Sequence, residues 1–192
     1  GTFRADGSSR FTNKKWGYFP SVAGAWTVSN EKFWEPIRNA VEYMKIRASW
    51  GIIGNQNITP YSTLASLNAT SFNYGTNTNY TGYWAGGIAT PDLTWEKVKQ
   101  LDFGIDLGFL GNRLSVGIDY FSKKTTDALL QQSSTGYLGG VTYWTNAGEV
   151  SNKGFDINVN AQIIQTKDLQ WSSSLNASYL KNEVTKLSAQ TP

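Results

Sequence analysis

Long stretches in which apolar and polar residues strictly alternate limit this chain more than any other feature. A period of two places every second side chain on one face of a β-strand, so each such stretch reads as a two-faced strand. Between Leu101 and Phe109 the odd positions are Leu101, Phe103, Ile105, Leu107 and Phe109, while Asp102, Gly104, Asp106 and Gly108 fill the even ones. Leu110-Gly111-Asn112-Arg113 follows, with a Gly and an Asn that tolerate the positive φ of a tight hairpin. The return run sets Leu114, Val116, Ile118 and Tyr120 on one face against Ser115, Gly117 and Asp119 on the other. The two runs predict a hairpin.

The pattern recurs on both sides of it. Phe155, Ile157, Val159, Ala161 and Ile163 alternate with Asp156, Asn158, Asn160 and Gln162; Thr166-Lys167-Asp168 turns the chain. Leu169, Trp171, Leu175, Ala177 and Tyr179 then alternate with Gln170, Ser172, Ser174, Asn176 and Ser178. Upstream, Met44, Ile46, Ala48, Trp50 and Ile52 face away from Lys45, Arg47, Ser49 and Gly51, and Trp16, Tyr18, Val22, Trp26 and Val28 mark a less regular strand. The total is about six strands, each near or above the ~9 to 11 residues that cross a bilayer when tilted. Connections alternate in length. The turns at 110–113 and 166–168 are short, whereas 54–93 and 127–148 are long and rich in Asn, Thr, Gly, Tyr and Trp. Short turns at one end and long loops at the other are the layout of outer-membrane barrels. The joint from Asn30 to Glu42 belongs to the short-turn end but is longer, and Glu31 to Ile37 is expected to carry a helical turn.

Composition narrows the chemistry. The 192 residues contain no Cys and no His. Disulfide frameworks, zinc sites, Ser-His-Asp triads and Cys-His dyads are therefore excluded, and no cofactor or metal is expected. A net charge of +3 arises from 17 Lys and Arg against 14 Asp and Glu that are scattered along the chain, so no nucleic-acid partner is expected. No apolar run approaches the ~20 residues of a transmembrane helix, which leaves membrane strands open. The chain begins Gly-Thr-Phe-Arg with no leader-like stretch, so any signal peptide is expected to lie outside it.

A soluble β-sandwich and a membrane barrel both give alternating strands, and the polar face must distinguish them. A sandwich usually turns many Lys and Glu toward water. Here that face is mostly Gly, Ser, Asn, Gln and Asp, which suits a hydrated lumen. On the barrel reading Lys45, Arg47, Asp102, Asp106, Asp119 and Asp156 face the lumen, and Leu101, Phe103, Ile105, Leu107, Val116, Ile118, Ile157 and Val159 face lipid. Trp16, Tyr18, Trp95, Tyr120, Trp171 and Tyr179 sit near strand ends, as interfacial girdles do. Aromatic residues make up 14% of the chain and charged ones only 16%, against ~25% charged in an average soluble domain.

Several short runs, in order, carry a further signal: Asp6-Gly7-Ser8-Ser9-Arg10-Phe11, Trp16-Gly17-Tyr18-Phe19-Pro20-Ser21, Lys45 through Gly51 and Gly54-Asn55-Gln56. Leu93-Thr94-Trp95-Glu96, Gly104 through Phe109, Asn112-Arg113-Leu114-Ser115, Ile118 through Phe121 and Asn152-Lys153-Gly154-Phe155 continue the series. Together they resemble the C-terminal barrel half of SusC/RagA-type TonB-dependent outer-membrane transporters of Bacteroidetes. The resemblance implies an all-β antiparallel barrel segment, about six strands of a 22-strand type barrel that closes around a plug. It also implies a SusD-like surface lipoprotein, energy passed through TonB, and import of glycans or peptides. Residues 1–192 would then be part of one barrel domain, with plug and closing strands outside this stretch.

No enzyme is expected. Asp102 and Asp106 stand roughly 13 Å apart along one strand at ~3.3 Å per residue, beyond the ~5 to 9.5 Å of glycosidase carboxylate pairs. Asp119 or Asp156 comes closer only across strands. Lys45 and Arg47, on the same face, are the simplest partners for these aspartates or for plug residues. Tyr74, Tyr80, Tyr83, Trp84, Tyr137, Tyr143 and Trp144 crowd the long loops. They are candidates for contact with cargo or with the lipoprotein lid, and the plainer reading is that they pack the loops against one another. The alternative for the whole chain is a soluble β-sandwich glycan-binding module that uses these aromatics as platforms.

Overall fold

The computed structural model describes residues 1–73, 75, 79–136 and 139–187. Its strands are β1 (Thr2–Gly7), β2 (Trp16–Thr27), β3 (Tyr43–Asn55), β4 (Ser66–Asn73), β5 (Asn79–Gly87), β6 (Glu96–Phe109), β7 (Leu114–Thr126), β8 (Leu129–Ser133), β9 (Thr142–Asn146), β10 (Glu149–Gln165) and β11 (Gln170–Lys186). Seven of them form one antiparallel sheet in the order β1-β2-β3-β6-β7-β10-β11, open at both edges. The pairs β4-β5 and β8-β9 are separate hairpins inside the two long connections.

The predicted hairpin is present as β6 and β7, paired from Lys97↔Thr126 to Phe109↔Leu114. Leu110, Gly111 and Asn112 all take positive φ in its turn, and the Gly111 amide donates to the Glu42 carboxylate at 2.6 Å. The expected helical turn near Glu31 is a single 3-10 turn at Lys32–Trp34, preceded by another at Val28–Asn30. Val28 thus leaves the strand it was expected to end, and it is buried. The Trp34 indole donates to the Val41 carbonyl at 2.9 Å and Arg38 to the Ser29 carbonyl at 2.8 Å, which ties this connection down.

Two expectations need correction. The sheet gains β1, and both long connections contain hairpins where only loop was expected. The strand Ser66–Asn73 reads Ser-Leu-Asn-Ala-Thr-Ser-Phe-Asn, with too little apolar alternation to announce itself. Trp95, expected in an interfacial girdle, is buried instead with Phe11, Phe19, Ile58 and Leu93. Its indole donates to the Lys15 carbonyl at 3.1 Å, so its polar edge is satisfied within the protein. This cluster is the molecule's core, and it lies at the long-loop end, not between two sheets. The apolar face of the sheet stays uncovered: Phe103, Ile118 and Ile157 are 43%, 40% and 41% exposed.

Candidate functional site

The polar face of the sheet has Arg47 at its centre. Register places Arg47 on β3 opposite Gly104 on β6, and Gly104 opposite Asp119 on β7. A side chain at 104 would collide with the Arg47 guanidinium and the Asp119 carboxylate, so Gly104 lets Arg47 lie across β6 and reach a strand that β3 does not pair with. Arg47 Nε and Nη2 donate to Asp106 Oδ2 and Oδ1 at 2.8 and 2.9 Å, a bidentate pair, and Nη2 lies 3.0 Å from Asp119 Oδ1. Asp156 on β10 is directly opposite Asp119, so a second carboxylate adjoins the first without a cation between them in register. Like charges in that position repel, and Arg47 on the far side of Asp119 offsets part of the cost.

The other predicted polar residues lie on the same face. Ser49 Oγ donates to Asp102 Oδ2 at 3.1 Å, and Gln100 Nε2 donates to both Asp102 oxygens. Lys45 stands opposite Asp106 in register, although the ion pair of Asp106 is with Arg47. The structure therefore joins Arg47, Asp106 and Asp119 directly and leaves Lys45, Asp102 and Asp156 as neighbours. Ala23, Gly24 and Ala25 on β2 are small, which opens a shallow recess of about 350 Å³ beside Arg47 and Asp119. Chemically this face offers hydrogen bonding and charge to something lying over it. Among the described residues no group of His, Cys, Asp or Glu is arranged to hold a metal.

The apolar face carries every predicted apolar position in one band. Leu101, Phe103, Ile105 and Leu107 on β6 align with Val116 and Ile118 on β7 and with Ile157 and Val159 on β10. Phe103, Tyr120, Phe155 and Tyr179 stand in direct register across β6, β7, β10 and β11, and the Tyr120 and Phe155 rings are 5.0 Å apart. An aromatic row thus borders the band on its long-loop side.

Of the loop aromatics, Tyr74 and Tyr137 lie outside the described residues. Tyr80, Tyr83 and Trp84 are on β5 and exposed. Alternation puts Tyr80 and Trp84 on one face of the β4-β5 hairpin and Tyr83, 68% exposed, on the other. Tyr143 and Trp144 are on β9 and half-buried; Trp144 packs against the core cluster, and the Tyr143 hydroxyl donates to Gln132. Sequence reasoning missed Asn146. Its Nδ2 donates to the Thr94 and Asp127 carbonyls at 2.8 and 2.9 Å while its Oδ1 accepts from the Thr94 amide at 2.8 Å, which clamps the two long connections together. A lone Asn at the end of a five-residue strand carries no periodic signal that would have revealed it. Tyr61, exposed with φ of 64°, was also passed over.

A TonB dependent receptor-like, beta-barrel family matches residues 1–191. TonB-dependent receptor P3 of Formosa agariphila is 38% identical over 187 residues, covering 97% of this chain and 18% of its own length. TonB-dependent receptor SusC of Bacteroides thetaiotaomicron is 36% identical over 193 residues, covering 97% and 19%. A solved structure of the RagAB peptide transporter superposes with a TM-score of 0.86 at 29% identity, over 98% of this chain and 20% of that one. The chain thus spans about a fifth of the length of the relatives it matches. These relatives are receptors and transporters, not enzymes, and the open sheet corresponds to one stretch of their barrels. With the family matched along nearly its whole length, the chain belongs to the TonB dependent receptor-like β-barrel family.

Proposed function

We propose that residues 1–192 form part of one barrel domain, supplying wall and outer loops to a TonB-dependent importer of glycans or peptides in the outer membrane. The carrying observation is the exposed apolar band. Its alternating run occupies Leu101 to Phe109 on β6 and Phe155 to Ile163 on β10, close to the ~9 to 11 residues a tilted strand needs to cross a bilayer. A sandwich would cover such a band with a second sheet, and among the described residues no sheet lies over it. The band meets lipid on this reading. The opposite face, with Lys45, Arg47, Asp102, Asp106, Asp119 and Asp156, lines the lumen and offers its carboxylates and Arg47 to a plug. TonB acts on the intact transporter through parts outside this stretch.

The outer loops are the contact surface for cargo and for a SusD-like lipoprotein. Exposed Tyr80, Tyr83 and Trp84 support that role, because rigid aromatic faces stack on sugar rings and anchor protein interfaces alike. The RagAB relative is described as a peptide transporter, which favours a peptide cargo for that protein and motivates testing peptides first on this one.

The experiment is fractionation of the intact gene product followed by uptake. The protein should enter the outer-membrane fraction and require detergent for release, and recovery as a detergent-independent soluble protein would overturn the reading. Combined Tyr83→Ala and Trp84→Ala substitutions should weaken cargo binding or lipoprotein pairing while leaving membrane insertion intact.

A further inference from the structure

A recess of about 390 Å³ lies among the long connections, between the turn that carries Tyr61, the foot of the β4-β5 hairpin and β9. Its volume falls within the ~300 to 1,000 Å³ of ordinary ligand sites. Two aromatic side chains stand in its lining, Tyr61 and Trp144. Trp144 is held by the core cluster against which it packs. Register puts Gln131 directly opposite Trp144, and Thr142, two residues away on β9, shares their face. Tyr61 is held differently. Its φ of 64° is a conformation that a Tyr rarely adopts, and at 80% exposure no packing of its ring explains the strain. The turn is fixed from both sides: Ile58 belongs to the core, and the buried Thr63 hydroxyl donates to the Arg10 carbonyl at 3.3 Å and bonds the Thr12 hydroxyl at 3.0 Å. A strained residue that its flanks hold in place, with its ring in solvent, marks a contact surface.

The rest of the lining is neutral. Thr59, Ser62 and Thr142 contribute hydroxyls and Gln131 an amide, and no charged residue borders the recess. Among the described residues, the Tyr61, Thr59 and Thr142 hydroxyls and the Gln131 amide make no hydrogen bond within the protein. Ser62 Oγ donates to the Thr59 carbonyl at 2.7 Å and keeps its acceptor side free. We infer that this recess binds a ring of a neutral saccharide. The negative face of an aromatic ring attracts the C–H face of a pyranose, and the sugar's hydroxyls donate and accept at once, as the hydroxyls and amide around it do. Side-chain hydroxyls set around two rings suit a sugar, whereas an extended peptide is held by the alternating backbone groups of a strand edge. Charge narrows the ligand further. An anionic sugar or a peptide terminus would enter without a counter-ion, while the recess beside Arg47 and Asp119 offers both signs.

This rests on the reading of the outer loops as the cargo-facing surface, and the test separates the two. The intact protein in detergent is titrated with neutral gluco-, manno- and xylotetraose in turn, and with a capped neutral tetrapeptide in parallel, and binding is followed by saturation-transfer NMR. At least one tetrasaccharide should bind, and Tyr61→Ala should weaken it about fivefold, within the range of one aromatic contact. Thr142→Val, which removes one hydroxyl, should weaken it by a similar factor. Both residues are exposed, so both variants should fold normally. Tyr61→Phe keeps the ring and should retain most of the affinity. Phe33→Ala, which removes an exposed aromatic at the short-turn end, should bind like the wild type. The inference is overturned if no tetrasaccharide binds, if Tyr61→Ala binds as the wild type does, if Phe33→Ala weakens binding equally, or if only the tetrapeptide binds. Binding that survives Tyr61→Ala but falls in the Tyr83→Ala, Trp84→Ala double variant overturns the recess and leaves the loop reading standing. Binding that survives all three substitutions overturns both.

Discussion

The wall and the cap of loops above it treat apolar side chains in opposite ways. In the cap, Phe11, Phe19, Ile58, Leu93 and Trp95 are withdrawn almost completely from solvent and pack on one another, with Phe11 and Phe19 each 5.4 Å from the Trp95 rings. In the wall, Phe103, Ile118 and Ile157 remain exposed although they lie in the most regular strands of the molecule. The cap is stabilised as any small core is, by burial against itself. The wall's apolar side chains gain nothing comparable from their own chain, and on the proposed membrane reading their benefit comes from lipid. On that reading water and bilayer select on different parts of one sequence, and substitutions separate them.

Trp95→Ala should have the largest effect, because it empties the centre of the cap and orphans the Lys15 carbonyl. The expected loss is about 3 to 5 kcal/mol, felt in detergent and in lipid alike. Denaturant unfolding of the intact protein in both media checks it, and a loss confined to lipid would break the contrast. Next, Ile157→Arg should cost about 2 to 4 kcal/mol in lipid, the range for a cation near the midplane of a barrel's lipid face. In detergent micelles, which yield around a charge, the cost should shrink. Ile105→Arg and Val159→Arg should behave alike, while Asp106→Arg, on the opposite face, should leave insertion intact. Equal damage from Asp106→Arg in an insertion assay would remove the assignment of faces.

How legible each region was follows from the same physics. The wall could be read because alternation is imposed residue by residue: once Leu101, Phe103 and Ile105 share a face, Asp102, Gly104 and Asp106 must share the other. Register was less accessible, since no local signal says that Arg47 meets Gly104 and reaches Asp119 two strands away. That pairing depends on the long connection between β3 and β6. The cap was largely illegible because Phe11, Ile58, Leu93 and Trp95 come from connections without a period and only Phe19 comes from a strand, β2. Trp95 looked like a continuation of the strand at Glu96, and only tertiary contact with Phe11 and Phe19 turns it inward. Asn146 and the β4-β5 hairpin escaped notice for the same reason.

Arg47 offers a smaller effect that sharpens the contrast from the polar side. Arg47→Gln leaves Asp106, Asp119 and Asp156 close together with no guanidinium among them. All three members of the ion-pair group are partly solvated, with side chains 31% to 40% exposed, so the loss should be modest, about 1 kcal/mol. A double-mutant cycle with Asp119→Asn, read by denaturant unfolding, isolates the coupling. A coupling indistinguishable from zero would mean that the bridge over Gly104 orients the polar face without stabilising it.

The smallest effect lies at the outer end of β10, where wall gives way to cap. The hydrogen bond from Lys124 holds the Glu149 carboxyl below its usual range; burial opposes this, and the charges of Lys124, Lys186 and Lys99 reinforce it. A depressed pKa in the folded state means that the folded protein binds the proton less readily than the unfolded chain. The stabilisation is therefore present above the unfolded value of 4.5 and is lost as pH falls through the lower folded value. Melting temperature should fall in that acid window more for the wild type than for Glu149→Gln, which has no carboxylate to protonate. Protonation also frees Lys124 from its only carboxylate neighbour within 4.0 Å among the described residues. Parallel acid profiles for wild type and Glu149→Gln would show that this ion pair contributes no stability at the outer end of β10.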